Sequence, residues 1–381
     1  LSIEKRKYGK KNQVKVDPLA YNTGLIGESG VGKTTLIYEV CEKLVGDEGY
    51  IFLECGKEDG EEAIQDIVAE KVPDWDTFEE ITDDIMDNKT TDYPNLKVVV
   101  ADTFDQLVEI AKEEVILMHN RENPDKPIKS IKQAFGGFMS GEDMAVDMVL
   151  DRLWELKKVG VRFIAIGHTK KKDVEDVVTG QTYSILTTDM SNRDFNKLKN
   201  KLHFLGVASI DREIVQQKTG KKNIVTKKEE TKGVVKSETR KITFRDDNYS
   251  IDSKSRFADI VESVPLSSDE FIKALTDAIK VEQSKSGKTF EQSQKEQEKD
   301  EAEKLKEIKK VEQEKHEKKE KEKLNEELTE MRNPIVEFIK DNKSDMKKIK
   351  PVLDLSKELG FANPTLIDNA EDIKKVLELI K

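Results

Sequence analysis

The sequence predicts an α/β fold built on a mostly parallel sheet with antiparallel strands along one edge. Three observations point there. Short Val- and Ile-rich runs alternate with stretches of helical periodicity over the first 200 residues or so. The runs are apolar at consecutive positions, as in LKVVVA at 96–101, which is the pattern of strands covered on both faces. Beyond residue 200 the runs become short, β-rich pieces separated by Gly- and Lys-containing turns.

Taken in order, YNTGLI at 21–26 is a strand that enters GESGVGKTTL, LIYEVCEKLV is a helix, and GYIFLE is a second strand. A polar acidic stretch then reaches Pro94. A third strand covers Leu96 to Ala101, a helix runs from about Phe104 to Met118, and a long loop holds Pro124, Pro127, Gly136 and Gly137. A helix near Asp143 to Lys158 precedes a fourth strand, VRFIAIG, at 161–167. HFLGVASI, NIVT, GVV, RKITFRDD and YSID read as antiparallel strands extending the sheet edge. Between Glu282 and Glu330, thirteen Lys and sixteen acids leave no apolar residue from Val311 to Leu324, so a heptad seam is not sustained. That segment is expected to be a fraying charged helix or a disordered tether. NPIVEFI, MKKIKPVLDLSKEL and NAEDIKKVLELI regain helical periodicity, with Pro334 suited to a first helical position. The expected layout is a basic arm at 1–17, an α/β domain at 18–280, a charged tether at 281–330 and a small helical domain at 331–381.

The chain has 381 residues, 36% hydrophobic and 38% charged, with a formal net charge of -11. The total excludes an overall basic coat but conceals blocks. Residues 47–92 carry seventeen acids against Lys57, Lys71 and Lys89, while Arg212 to Lys241 hold ten basic and four acidic residues. Two cysteines, Cys41 and Cys55, lie outside any CxxC or His-rich setting, so a reducing cytoplasm is expected. No apolar run approaches the ~20 residues of a membrane span, and no apolar signal core opens the chain. The first residue is Leu1 rather than Met, which leaves a trimmed chain or a non-standard start codon open.

Gly27, Glu28, Ser29, Gly30, Val31, Gly32, Lys33, Thr34 and Thr35 span a G-x-x-x-x-G-K-[ST] phosphate loop between a strand and a helix. Glycines there let backbone N–H groups converge on a β-phosphate, and the helix N-terminus adds partial positive charge. Lys33 would reach the β- and γ-oxygens of ATP, and the Thr34 hydroxyl would ligate Mg²⁺. Asp102, ending the run Val98-Val99-Val100-Ala101, supplies the carboxylate expected to hold Mg²⁺ through water; a helix N-cap is its other reading. Glu54, at the end of the strand after the phosphate-loop helix, is the candidate to activate the attacking water, with Glu58 as competitor in the same loop. His168 ends the fourth strand at the same edge and is the candidate sensor of the γ-phosphate.

This order of elements resembles the RecA-type P-loop NTPase core shared by recombinases and hexameric replicative helicases, over about residues 18 to 265. YIFLECGKEDG is similar to the segment carrying the catalytic Glu, and IAIGH to the strand whose terminal Gln or His couples ATP to DNA. The overall likeness is to phage-encoded RecA-like nucleotide-binding proteins, some of which act in single-strand annealing and recombination. The resemblance implies self-association into a ring or filament, with Lys254 and Arg256 of Lys254-Ser255-Arg256 entering a neighbour's ATP site. It also implies single-stranded DNA binding by two loops. One is 119–142, with Lys126, Lys129, Lys132, Phe135 and Phe138; the other is 169–196, with Lys170, Lys171, Lys172, Tyr183 and Arg193. Cations for the backbone and aromatics for base stacking suit that ligand.

Two alternatives stay open. A nucleotide-gated adaptor or helicase loader would recruit a protein partner through 331–381 without strong ATPase activity. A phosphotransferase on a small acceptor would need an Arg-rich lid, and the basic residues here are mostly Lys.

Overall fold

The computed structural model describes residues 12–56, 64–175, 180–222, 229–246 and 251–380. Contacts divide the chain into two compact units, Leu1–Ile308 and Lys309–Lys381.

The first unit begins with β1 (Thr23–Gly27), α1 (Lys33–Val45), β2 (Tyr50–Cys55), β3 (Ala69–Val72), α2 (Trp75–Asp87), β4 (Val98–Asp102) and α3 (Phe104–Glu122). It continues with α4 (Ser140–Lys158), β5 (Arg162–Glu175), β6 (Thr182–Thr188), α5 (Asn192–Lys201), β7 (Phe204–Lys222) and β8 (Glu229–Thr243). β9 (Lys254–Ser255), β10 (Ser263–Pro265) and α6 (Ser268–Ser284) follow, and α7 (Phe290–Asp341) starts here. The sheet order is β10-β8-β7-β1-β5-β4-β2-β3. The six strands from β7 to β3 run parallel, while β8 and β10 pair antiparallel at the edge. This is the mostly parallel α/β sheet with antiparallel edge strands that the sequence predicts.

Alternation along β4 shows why the sheet is buried twice over. Val98 and Val100 pack with Leu36, Ile37 and Phe271 on the α1 and α6 side. Val99 and Ala101 pack with Phe78, Phe104, Leu107 and Val149 on the side of α2, α3 and α4. Apolar residues at consecutive positions therefore serve two different cores.

Three differences from the sequence expectation stand out. The acidic stretch before Pro94 contains β3 and α2. In α2 only Trp75, Phe78, Thr82 and Ile85 are buried, one stripe at helical spacing, and Asp74 caps the helix by accepting from Thr77 N at 2.9 Å. HFLGVASI is not an antiparallel edge piece: it opens β7, parallel to β1. β7 and β8 then pair with each other from Val207↔Thr243 outward to Lys222↔Glu229, one long ribbon in place of several short strands. NIVT lies outside the described residues; of YSID, Ile251 makes a single bridge to Leu186. Finally, Pro334 lies inside α7 and does not begin a helix.

The charged segment is helical from Phe290 onward as part of α7, after the end of α6 at Ser284 and a short turn, with Leu305, Val311 and Leu324 each more than 40% exposed. Lys, Glu and Gln are good helix formers, and that propensity suffices without a packed face. In the second unit, Leu328 and Ile335 of α7 pack with Val352 of α8 (Met346–Glu358) and with Ile367, Ile373 and Val376, the last two from α9 (Ala370–Ile380). Among the described residues no helix is long and apolar enough to cross a membrane.

Candidate active site

The phosphate loop hangs from the carboxyl end of β1, a strand held between β5 and β7. Gly27 sits so close to β7 that a Cβ on it would lie 2.8 Å from the Ala208 carbonyl oxygen. Gly30 and Gly32 have φ of 74° and 102°, which turns the backbone back toward α1. Gly32 occupies the N-cap of α1 with no side-chain capping bond, so the first N–H groups of the helix are not taken by a cap. Val31 is buried, whereas Ser29, Gly30 and Thr35 are exposed and Glu28 is half-buried. Lys33 is 7% exposed, and its Nζ donates to the carbonyls of Gly27 and Glu28, each at 3.2 Å. The cradle thus holds a lysine ammonium and an uncapped helix end at one point, the arrangement that receives a phosphate chain.

Thr34 Oγ1 donates to Asp102 Oδ2 at 2.7 Å, and Asp102 is 4% exposed. A hydroxyl for direct ligation and a buried carboxylate beside it, able to act through water, are the hard oxygen donors that Mg²⁺ takes, so the residues present fit that cation. Glu54 stands in register with Asp102 on the neighbouring strand, so the two carboxylates share a sheet face and level. Glu54 is 6% exposed, and Lys71 Nζ approaches its Oε2 at 3.9 Å. Lys71 is also in register with it on β3. Glu58 lies outside the described residues.

His168 is in register with Gly27 across the β1–β5 pair, which puts it level with the start of the phosphate loop. Its Nδ1 lies 3.1 Å from Asp105 Oδ2, in the first turn of α3. Asp189 completes a group whose ligand-type atoms lie within 4.8 Å of one another. Burial, with Asp105 beside it, raises the Asp189 carboxyl above the ordinary range, while His168 and Lys170 oppose the shift. Asp105 therefore orients the His168 ring from below, a role that sequence reading missed because α3 starts a strand away.

Lys254 and Arg256 lie elsewhere. Ser255 pairs with Phe204 at the start of β7, level with Thr23, so these cations occupy the amino edge of the sheet, opposite the phosphate loop of their own chain. There they serve the C-terminal end of α5. Lys254 Nζ donates to the Lys199 carbonyl, and Arg256 donates to the carbonyls of Leu202 at 3.2 Å and Asn200 at 2.6 Å. The nearby Trp154 ring carries Lys157 Nζ at 3.6 Å and Lys201 Nζ at 5.0 Å from its centroid.

The two expected DNA loops are more ordered than loops. Segment 119–142 takes in the end of α3, a short 3₁₀ turn at Ile131–Gly136 and the start of α4. Phe135, Phe138 and Met139 have φ of 47°, 50° and 67°, strained for residues with a Cβ, and Phe138 is 97% exposed. Lys126, Lys129 and Lys132 of the same segment are exposed. Segment 169–196 is the β5–β6 hairpin leading into α5. It runs from Thr169↔Thr188 to Glu175↔Thr182, with Lys170, Lys171 and Lys172 on one strand and Tyr183 on the other. Lys170 donates to the Asp189 carbonyl, Lys172 to Asn192 Oδ1 at 3.1 Å, and Arg193 pairs with Asp143. Arg240, which the sequence did not single out, donates from Nη1 to the Val31 carbonyl at 3.2 Å.

No curated protein matches this chain significantly. Among solved structures it is similar to a KaiC-like protein from the hyperthermophilic archaeon Pyrococcus horikoshii OT3, at 13% identity and a TM-score of 0.30, covering 64% of this chain and 92% of that one. A family model described as an AAA domain matches residues 20–257, from just before β1 to just after Arg256. Matched over more than half its length and carrying the phosphate loop at Gly27–Thr34, the chain belongs to this AAA-domain family of P-loop NTPases.

Proposed function

We propose that the protein hydrolyses ATP and couples that cycle to single-stranded DNA, in recombination, annealing or replication of the phage type that its sequence resembles. One observation carries the coupling. The strand bearing His168 at the level of the phosphate loop continues without interruption into the hairpin that carries Lys170, Lys171, Lys172 and Tyr183. A change at the γ-phosphate felt by His168 reaches those residues through one strand. The strained, exposed Phe138, in the same segment as the exposed Lys129 and Lys132, adds a stacking surface.

In the reaction, Glu54 accepts a proton from the attacking water as its oxygen bonds to the γ-phosphorus and the bond to the β–γ bridging oxygen breaks, giving ADP and phosphate. Lys33 and the N-terminal amides of α1 balance the developing charge. Thr34 and Asp102 would hold Mg²⁺, which when bound draws charge from the β- and γ-oxygens. Asp105 keeps the His168 ring in place. In a ring or filament, Lys254 and Arg256 exchange the α5 carbonyls for a neighbour's γ-phosphate. The second unit is the place for a protein partner, with Met346, Leu366 and Leu379 each more than half exposed. The free thiols Cys41 and Cys55, both buried, fit a reducing cytoplasm.

The test is ATP turnover with and without single-stranded DNA, on the full chain and on Lys33→Ala and Phe138→Ala. Turnover is expected to rise with DNA, to vanish in Lys33→Ala with the fold retained, and to lose DNA stimulation in Phe138→Ala. Undiminished turnover in Lys33→Ala refutes the site. Turnover only with a small acceptor identifies a phosphotransferase, and retained ATP binding without turnover identifies an adaptor.

A further inference from the structure

We infer that Arg240 is a nucleotide-contact residue acting within its own chain, gripping the phosphates that ADP and ATP share. The inference rests on the nucleotide site above and adds to it a residue from the far side of β7.

Its position is fixed from both flanks. Arg240 pairs with Ile210 of β7, and its carbonyl accepts from Leu266 N at 3.0 Å. From that anchor the guanidinium reaches over the phosphate loop. Nη1 donates to the Val31 carbonyl at 3.2 Å, and a Cβ built on Gly32 would lie 3.9 Å from the same nitrogen. Gly32 and Lys33 form the turn whose amides face the α- and β-phosphates in a loop of this kind. A guanidinium has five donors and no acceptor, so one carbonyl uses a small part of its capacity.

The present partners of Arg240 are ones that it can leave. Nε lies 3.6 Å from Glu238 Oε1, and the two side chains are 47% and 39% exposed, so the pair is weakly held. Glu238 is moreover shared, since Arg212 Nε sits 3.3 Å from its other oxygen across the ribbon. A diphosphate in the loop offers paired oxygens that match the guanidinium fork and carry more charge than one shared carboxylate. Arg240 exchanges Glu238 for phosphate, and Glu238 is then left to Arg212 at the base of the β7–β8 ribbon. Occupancy of the loop is thereby reported to the ribbon through one carboxylate.

Because the contact is to phosphates present before and after hydrolysis, it acts on ground state and transition state alike. This separates Arg240 from Lys254 and Arg256, whose proposed target is the γ-phosphate. Calorimetric titration of ADP, and of ATP, into the full chain and into Arg240→Gln, Glu238→Gln and Lys33→Ala tests the inference. Arg240→Gln is expected to weaken ADP and ATP by the same factor, about tenfold, as loss of a charge-assisted bond does. Glu238→Gln is expected to tighten both by a few-fold. Unchanged ADP affinity in Arg240→Gln, or a loss confined to ATP, overturns the inference. Should Arg240→Gln fail to fold, Glu238→Gln decides by itself: no tightening overturns it. Lys33→Ala distinguishes the levels. If it loses ADP while Arg240→Gln does not, Arg240 is misassigned and the site stands; if it binds ADP like the unaltered chain, the site itself is wrong.

Discussion

Replacing Gly27 with Ala tests whether the phosphate loop is fixed by the packing of β1 against β7. The added Cβ would lie 2.8 Å from the Ala208 carbonyl oxygen, 2.9 Å from Ala208 Cβ and 3.1 Å from Val31 Cγ1. The first two belong to backbone or to an atom fixed to it, so no side-chain rotation relieves them, and β1 and β7 must separate locally at the Gly27↔Ala208 pair. Overpacking of this kind costs about 1–3 kcal/mol. At roughly 2–4 °C per kcal/mol for a large domain, a cost of about 2 kcal/mol lowers Tm by about 4–8 °C. Nucleotide affinity falls too, because the Gly27 carbonyl accepts from Lys33 Nζ at 3.2 Å and moves with the strand. Gly30→Ala is the control. Its φ of 74° imposes strain, yet nothing lies within 4 Å of the new Cβ, so its cost is about 1 kcal/mol. Thermal unfolding by circular dichroism, with ADP titration on the same samples, should rank Gly27→Ala below Gly30→Ala. Adding Ala208→Gly to Gly27→Ala should recover part of the loss, since it removes the 2.9 Å contact and leaves the 2.8 Å one. A Gly27→Ala protein that melts within about 1 °C of the parent, at most about a quarter of the loss expected here, would show that the close approach does not hold the loop.

Two further outcomes follow from the same coordinates. Thr34→Val keeps the shape of the side chain but removes the hydroxyl 2.7 Å from Asp102 Oδ2; the Mg²⁺ concentration for half-maximal turnover should rise about tenfold or more while ADP binding without Mg²⁺ changes little. His203 is held down to about 4 by burial and then by Arg256, Lys157 and Arg162, so the folded state resists its protonation. Between 6.5 and 4 the unfolded chain binds the proton more readily, and the contribution of His203 to stability is lost as pH falls through that window. At this half-buried ring it amounts to about 1–2 kcal/mol after allowance for solvent screening. Asp17, Asp189 and Asp194 have raised carboxyls and act in the opposite direction. The measurement is therefore the difference between parent and His203→Gln in denaturant midpoint from pH 7 to 4, which should shrink as pH falls; a constant difference refutes it.

What was legible in the sequence was what is local or repeated. The phosphate loop is contiguous, and β1, β2, β4 and the first part of β5 announce themselves because strands covered on both faces have no polar alternation. Asp102 could be found because an acid closing such a strand stands out against Val98–Ala101, and its 2.7 Å contact with Thr34 belongs to the fold. α2 was hidden by its own solvent face: four buried residues among acids do not alter a charge count, although Trp75, Phe78, Thr82 and Ile85 stand at helical spacing. The ribbon of β7 and β8 was broken into pieces because beyond the core it buries neither face: Val215, Val234 and Val235 are all exposed there among polar residues, which removes the period-two signal. Arg240 was beyond reach for a different reason. Its approach to Val31 depends on the pairing Ile210↔Arg240 between strands that no local pattern registers. Lys254 and Arg256 were recognisable as a pair, but only the pairing Phe204↔Ser255 says which edge of the sheet they occupy.

The register also explains why the phosphate-loop strand is the natural origin of any signal to the hairpins. Gly27, the last residue of β1, pairs with His168 on one side and with Ala208 on the other. Both partner strands run on past that level, β5 to Glu175 and β7 to Lys222, and each folds back as an antiparallel ribbon. β1 stops and turns into the loop, so the phosphate loop sits between the roots of two ribbons. A displacement of the loop therefore loads both ribbons through backbone pairs rather than through side chains, and paired backbone yields less than a side chain that can change rotamer. On this geometry the responses of the two ribbons are coupled. A substitution that loosens Gly27 from Ala208 should weaken the nucleotide dependence of contacts made by β5–β6 as well as by β7–β8, because the same residue anchors both.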